Sequence, residues 1–294
     1  MRKIGHFIIC STLLMLSLAG CQRLDNIDYS PKQSPETFLQ NQHWIKIGAG
    51  NFSFIWSQPS STLIVYFVGL LTMYVGYTFL RHSNQQQAKL WWGIGLLLTG
   101  LGALFAGTSY QAFGYEIKCA GRASCTWTSW WEIIYMLLSV PGMNAFLIAT
   151  AHTNAKGNFR KAMIVYAIIN TLAYSLLLMY GALQAVKWQV SFDFMSLVSL
   201  PSVLFLLLLH GITYAKHKDK MNLLLLNTWL IFVLVGLTYG LSLHLGITAS
   251  LWQNGIWFTE NDVLHLGMIG WVYYIHKKTT NVVIDLTDRN LKGV

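Results

Sequence analysis

The chain has 294 residues, of which 54% are hydrophobic and only 11% charged, a balance that excludes an ordinary water-facing surface and points to lipid as the main solvent. The net charge of +9 would suit nucleic acid. The Lys and Arg, however, sit in short clusters between apolar segments and not along one face with interleaved aromatics, which sets that class aside.

In chain order, residues 1–21 combine basic Arg2 and Lys3, a short apolar run from Ile4 to Leu16, and Leu18-Ala19-Gly20-Cys21. The pattern is similar to a bacterial lipoprotein signal, in which the cysteine is lipidated and becomes the new N-terminus; a plain signal anchor ending near Gly20 is the alternative. Either one delivers the following chain outside the cytoplasm. Residues 22–59 are polar on balance and carry Ser30-Pro31 and Ser34-Pro35, an extracytoplasmic linker or small cap.

Seven apolar stretches follow, at about 61–80, 90–112, 129–151, 162–184, 195–215, 222–246 and 260–276. Each approaches the roughly 20 residues of helix that cross about 30 Å of hydrocarbon, and lipid offers backbone amides no partner, so the stretches must be helical. The expected fold is all-α: a polytopic membrane protein with seven transmembrane helices over residues 60–278 and a tail over 279–294. With the first span running inward, the inner segments hold Arg81, Lys89, Lys156, Arg160, Lys161, Lys216, Lys218, Lys220, Lys277 and Lys278, against Lys118, Arg122 and Lys187 in the outer loops between spans. That asymmetry places the N-terminus outside and the C-terminus inside, in a bacterial inner membrane, in agreement with the signal. Trp91, Trp92, Trp127, Trp130, Trp131, Trp252 and Trp257 mark the interfaces. Pro141-Gly142 predicts a kink in the third span.

Cys119 and Cys125 fall in one outer loop, where an oxidising compartment favours a disulfide over two free thiols; no second Cys or His pair is near enough in sequence to suggest a metal clip. Ionisable groups inside a membrane are costly, and here they gather toward the outer side: Glu132, His244, Asp262 and His265, with Ser109 and Gln111 ending the second span. Asp262 and His265 are three apart and share a helix face, a pairing that can bind a metal or pass a proton. The alternative is ordinary capping by Thr259, Asn261 and Asp262, with His265 bonded to Glu132 or to a carbonyl. A retinal protein needs a lysine in the middle of the seventh span, whereas Lys277 and Lys278 lie at its inner end. Haem ligation by His152 with His210, or His244 with His265, has no other support.

These positions carry a resemblance. The layout is similar to the CREST superfamily of seven-span proteins, which includes the alkaline ceramidases and the progestin and adipoQ receptors. That family has a Ser and a His ending the second span, an Asp heading the third and His-x-x-x-His in the seventh, with three histidines binding zinc. Here His265 matches the second histidine of the last motif and Asn261 stands at the first; Gln111 stands near the second-span histidine, Thr108 and Ser109 near the serine, and Glu132 near the aspartate. What the resemblance implies is a lipid (amide) hydrolase using one divalent ion, zinc first, on Glu132, Asp262 and His265 with His244 in reach, and a lipid substrate. A non-catalytic binding or sensor protein on the same fold is the other expectation.

Overall fold

The computed structural model describes residues 23–50 and 52–287; the expected signal and its Cys21 lie outside the described residues. The segment ahead of the first span is a small cap. Helix α1, Pro35–Gln40, starts where Ser34 and Thr37 cap one another reciprocally and Pro35 occupies the first turn, a position where its missing N–H costs nothing. Strands β1, Trp44–Ala49, and β2, Phe52–Ser57, form an antiparallel hairpin that pairs Trp44 with Ser57 and Ile47 with Phe54.

The bundle follows. Helices α2 (Pro59–Arg81), α3 (Gln87–Gly107, running on through a π-helical turn Thr108–Ala112), α5 (Trp130–Asn154), α6 (Gly157–Gln184), α7 (Phe192–His217) and α8 (Lys220–Leu245) are, among the described residues, the six helices long and apolar enough to cross a bilayer. A short α4, Gly114–Lys118, lies between α3 and α5, and α9, Ile247–Gln253, follows α8. The seventh expected span is α10, Glu260–Tyr274, which continues into a π-helical turn, Ile275–Thr279. Ser129, Ser191, Asp219 and Thr259 each accept a backbone N–H at the start of α5, α7, α8 and α10, so four of these starts carry a side-chain cap. The chain is a multi-pass helical membrane protein.

Small residues set how close the helices come, as expected where lipid gives no hydrophobic drive between them. A Cβ on Gly100 of α3 would stand 2.6 Å from the Gly69 carbonyl of α2, and one on Gly95 would stand 3.0 Å from the Gly142 carbonyl of α5. The chain therefore packs α2, α3 and α5 nearly backbone to backbone. Away from the cap, Phe79, Trp92, Phe146, Trp229 and Trp271 form a buried aromatic core joining α2, α3, α5, α8 and α10. At the cap end a second cluster, with Ile133, Met136, Tyr174, Leu178 and Met195, joins α5, α6 and α7 to Leu24 and Ile27 of the cap. Neither α8 nor α10 belongs to it.

Candidate functional site

At the cap end, Cys119 and Cys125 are joined in a disulfide. The loop it closes is laced to the N-terminal segment: Cys125 N–H donates to the Gln33 carbonyl and Trp127 N–H to that of Ile27, both at 2.8 Å, and Arg122 pairs with Asp25 at 3.0 Å. This anchoring places Lys118, the last residue of α4, against Glu132 in the first turn of α5. The two form an ion pair with both side chains about 3% exposed. Glu132 Oε1 also accepts from Ser109 (2.8 Å) and Oε2 from Thr128 (3.1 Å), while Lys118 Nζ stands 4.8 Å from the centre of the Tyr110 ring. Burial on its own lowers the Lys118 pKa; the Glu132 carboxylate, helped by Tyr29, outweighs it and holds the ammonium above the ordinary lysine value.

Asp262 lies elsewhere. Its Oδ2 accepts from Thr259 N–H (2.7 Å), Thr259 Oγ1 (3.2 Å) and Ser61 Oγ of α2 (3.0 Å), so it completes a capping box at the head of α10. Its Oδ1, on a side chain that is 0% exposed, has no hydrogen-bond partner among the described residues, nor does His265 Nδ1 or Gln111 Oε1. Asn261 and His265 are half-buried on α10, and His244 is exposed at the end of α8. Among the described residues no three His, Cys, Asp or Glu side chains gather as a metal-binding group. The donor set explains why a zinc site on Glu132, Asp262 and His265 does not fit: both Glu132 oxygens already face a cation or a hydroxyl, and Glu132 shares no hydrogen-bond partner with Asp262. Sequence reasoning counted Lys118 only as a loop charge; its place beside Cys119 was the available signal.

The second feature is a division of α7 from α8. On α8, Leu225, Trp229, Phe232, Gly236, Gly240 and Leu243 fall within about 80° of one another at 100° per residue. Leu225 and Trp229 are 0% exposed, whereas Leu243 on the same stripe is 51% exposed, and nothing stands within 4 Å of where a Cβ on Gly236 or Gly240 would lie. The facing stripe of α7 behaves alike: His210 is buried, Val203 half-buried, and Ser196 and Phe192 exposed. Away from the cap the two helices are tied by His210 Nδ1 and Asn222 Oδ1 at 2.8 Å. Toward the cap both stripes are exposed. Glu260, the first residue of α10, is held by Thr248 of α9, whose N–H donates to Oε1 at 3.1 Å and whose hydroxyl donates to Oε2.

The chain belongs to a family of unknown function, DUF6962, whose pattern matches residues 60–280, which is the helical bundle without the cap. No curated protein and no solved structure matches it.

Proposed function

We propose that this member of the family is a seven-span protein of a bacterial inner membrane, its cap outside and its C-terminus inside, which binds a ligand along the exposed cap-side stripe of α8 and does not hydrolyse it. The observation that carries the proposal is the α8 stripe that is packed in one half and bare in the other, since a membrane bundle without a ligand to admit gains by closing such a stripe with small-residue packing. Binding is favoured over metal-dependent hydrolysis by the Lys118–Glu132 pair, which occupies the carboxylate that hydrolysis would need as a ligand. The orientation is supported by the excess of Lys and Arg on the side away from the cap and by a disulfide on the cap side. The seventh span is supported by α10 and its π turn together, Glu260–Thr279, about 30 Å long at 1.5 Å per residue.

Two measurements test the reading. Reporters at Gly121 and after Val294 should be active only outside and only inside, respectively. Metal analysis of protein purified without chelators should find no stoichiometric ion; one zinc per chain, lost in His265→Ala, would restore the hydrolase.

A further inference from the structure

A cavity of about 330 Å³ lies on the cap side, where the turn Leu24–Asn26, the disulfide-closed loop and the start of α5 meet. We propose that this cavity, a site separate from the α8 stripe, binds one uncharged sugar ring, either free or carried as the headgroup of a lipid. Its volume is at the small end of the roughly 300–1,000 Å³ of ligand pockets, which suits a single ring. Trp130 and Trp131 line it at the first turn of α5, the headgroup level at which tryptophans mark a membrane interface.

The walls offer both donors and acceptors. Arg122 and Asp25 line the cavity as a partly exposed pair, Nη1 to Oδ1 at 3.0 Å; their charges cancel, while five guanidinium N–H groups and two carboxylate oxygens exceed what one contact uses. Thr126 also lines it and is only 4% exposed, yet among the described residues its hydroxyl has no hydrogen-bond partner. The other two hydroxyls of the wall are committed inward. Thr128 donates to Glu132 at 3.1 Å, and Ser129 meets Ser109 at 2.7 Å, where Ser129 is the donor because the Ser109 proton goes to Glu132. Thr128 and Ser129 therefore present the cavity with lone pairs alone. A phosphate or carboxylate only accepts, and would face Asp25 and those two oxygens. An ammonium only donates, and would face Arg122 and, behind Thr128 and Ser129, the Lys118 ammonium on Glu132. A ring of hydroxyls donates and accepts without charge, and its C–H face packs on the flat apolar surface of an indole.

The test uses full-length protein in nanodiscs prepared without sugar-based detergents. In one arm methyl glucoside, methyl galactoside and methyl mannoside are titrated and followed by saturation-transfer NMR, with the 6-phosphate and amino derivatives of each sugar as charged controls. In the other arm the discs carry monoglucosyl and monogalactosyl diacylglycerol beside plain diacylglycerol, and retained lipid is counted by native mass spectrometry. Saturable binding of a methyl glycoside supports a free sugar, and enrichment of a glycolipid over diacylglycerol supports a headgroup. In the arm that binds, Thr126→Val, which keeps the shape and removes the hydroxyl, should weaken binding about fivefold, the size of one neutral hydrogen bond. Arg122→Gln should weaken it about tenfold or more, since its bonds are charge-assisted. Charged derivatives should bind about threefold more weakly than the methyl glycoside, the size of one exposed like-charge contact. No binding in either arm, or tighter binding of a charged derivative, would overturn the proposal. So would unchanged affinity in a folded Thr126→Val, whatever Arg122→Gln does.

Discussion

The Asp285 carboxylate accepts the backbone N–H of Ala88 at 2.7 Å and that of Gln87 at 2.9 Å, capping α3 from 197 residues further along the chain. Gln86, the residue at the cap position of α3, makes no capping bond of its own to the helix start and instead accepts Asp285 N–H at 2.6 Å through its side chain. Val283, two residues earlier, is fully buried against the aromatic core cluster. Residues 283–285 are thus part of the bundle face away from the cap. Asp285→Ala should lower stability by about 1 kcal/mol, the usual cost of a lost N-cap, while Asp285→Asn, which keeps an acceptor, should lower it less. Thermal unfolding in one detergent checks both. No difference between Asp285→Ala and wild type would mean that water caps α3 equally well.

How much of this was legible depended on whether a signal was local. The apolar stretches predicted α2, α3 and α5 to α8 closely: 61–80 became Pro59–Arg81 and 222–246 became Lys220–Leu245, because hydropathy and side-chain caps act within one segment. The hairpin was readable and missed, since Ile45 and Ile47 alternate with polar or small residues and pair with Trp56 and Phe54. The site was less legible. Lys118 meets Glu132 only because the disulfide loop is tied to the cap, and nothing in residues 279–287 announces that Asp285 caps α3. The change of exposure along α8 could not be read at all. Leu225 and Leu243 are both leucines on the same stripe of α8, and only tertiary packing makes one buried and the other bare.

The Lys118–Glu132 pair makes a prediction through its surroundings. Lys118→Ala leaves a buried carboxylate with two hydroxyl donors and no cation, which should cost about 3–5 kcal/mol. The double variant Lys118→Met with Glu132→Gln should recover most of that. The pH dependence follows from the raised Lys118 pKa: the pair's contribution is fully present below the ordinary lysine value of about 10.4 and is lost as pH rises through the still higher folded value. Denaturation measured up to pH 11 should narrow the gap between wild type and the double variant only in that alkaline range. A gap that changes between pH 6 and 8 would contradict the pairing.

His43 titrates in the opposite sense. Its ring stacks on Trp257 at 4.7 Å and meets Trp252 edge-on at 4.9 Å, fastening the cap hairpin to the chain around α9, and burial lowers its pKa. A histidine held neutral stabilises the folded state fully above about pH 6.5, and that contribution falls as pH drops below it toward the depressed value. Tryptophan fluorescence should therefore report a loosening of the cap below pH 6.5 that His43→Phe abolishes, since phenylalanine keeps the stack and carries no proton. An identical acid transition in His43→Phe would assign the change to another group.

Asp262 separates a cap from a ligand. Three donors converge on its Oδ2, while Oδ1 is buried without a partner among the described residues. Asparagine at this position supplies that one acceptor, caps a helix well and removes the charge from a site with no ion-pair partner, so Asp262→Asn should leave stability within about 0.5 kcal/mol of wild type or raise it. Asp262→Ala should cost about 1–2 kcal/mol, because the Ser61 hydroxyl and the Thr259 N–H lose their acceptor inside the bundle. A metal ligand predicts the reverse order of interest: asparagine is a poor ligand for a transition metal, so Asp262→Asn would then lose a bound ion and the stability that the ion confers. Unfolding of wild type, Asp262→Asn and Asp262→Ala, each with and without a chelator, decides between the two. A tolerant Asp262→Asn that is indifferent to chelator is the outcome expected of the capping box, and a chelator-sensitive wild type matched by a destabilised Asp262→Asn would reverse the assignment.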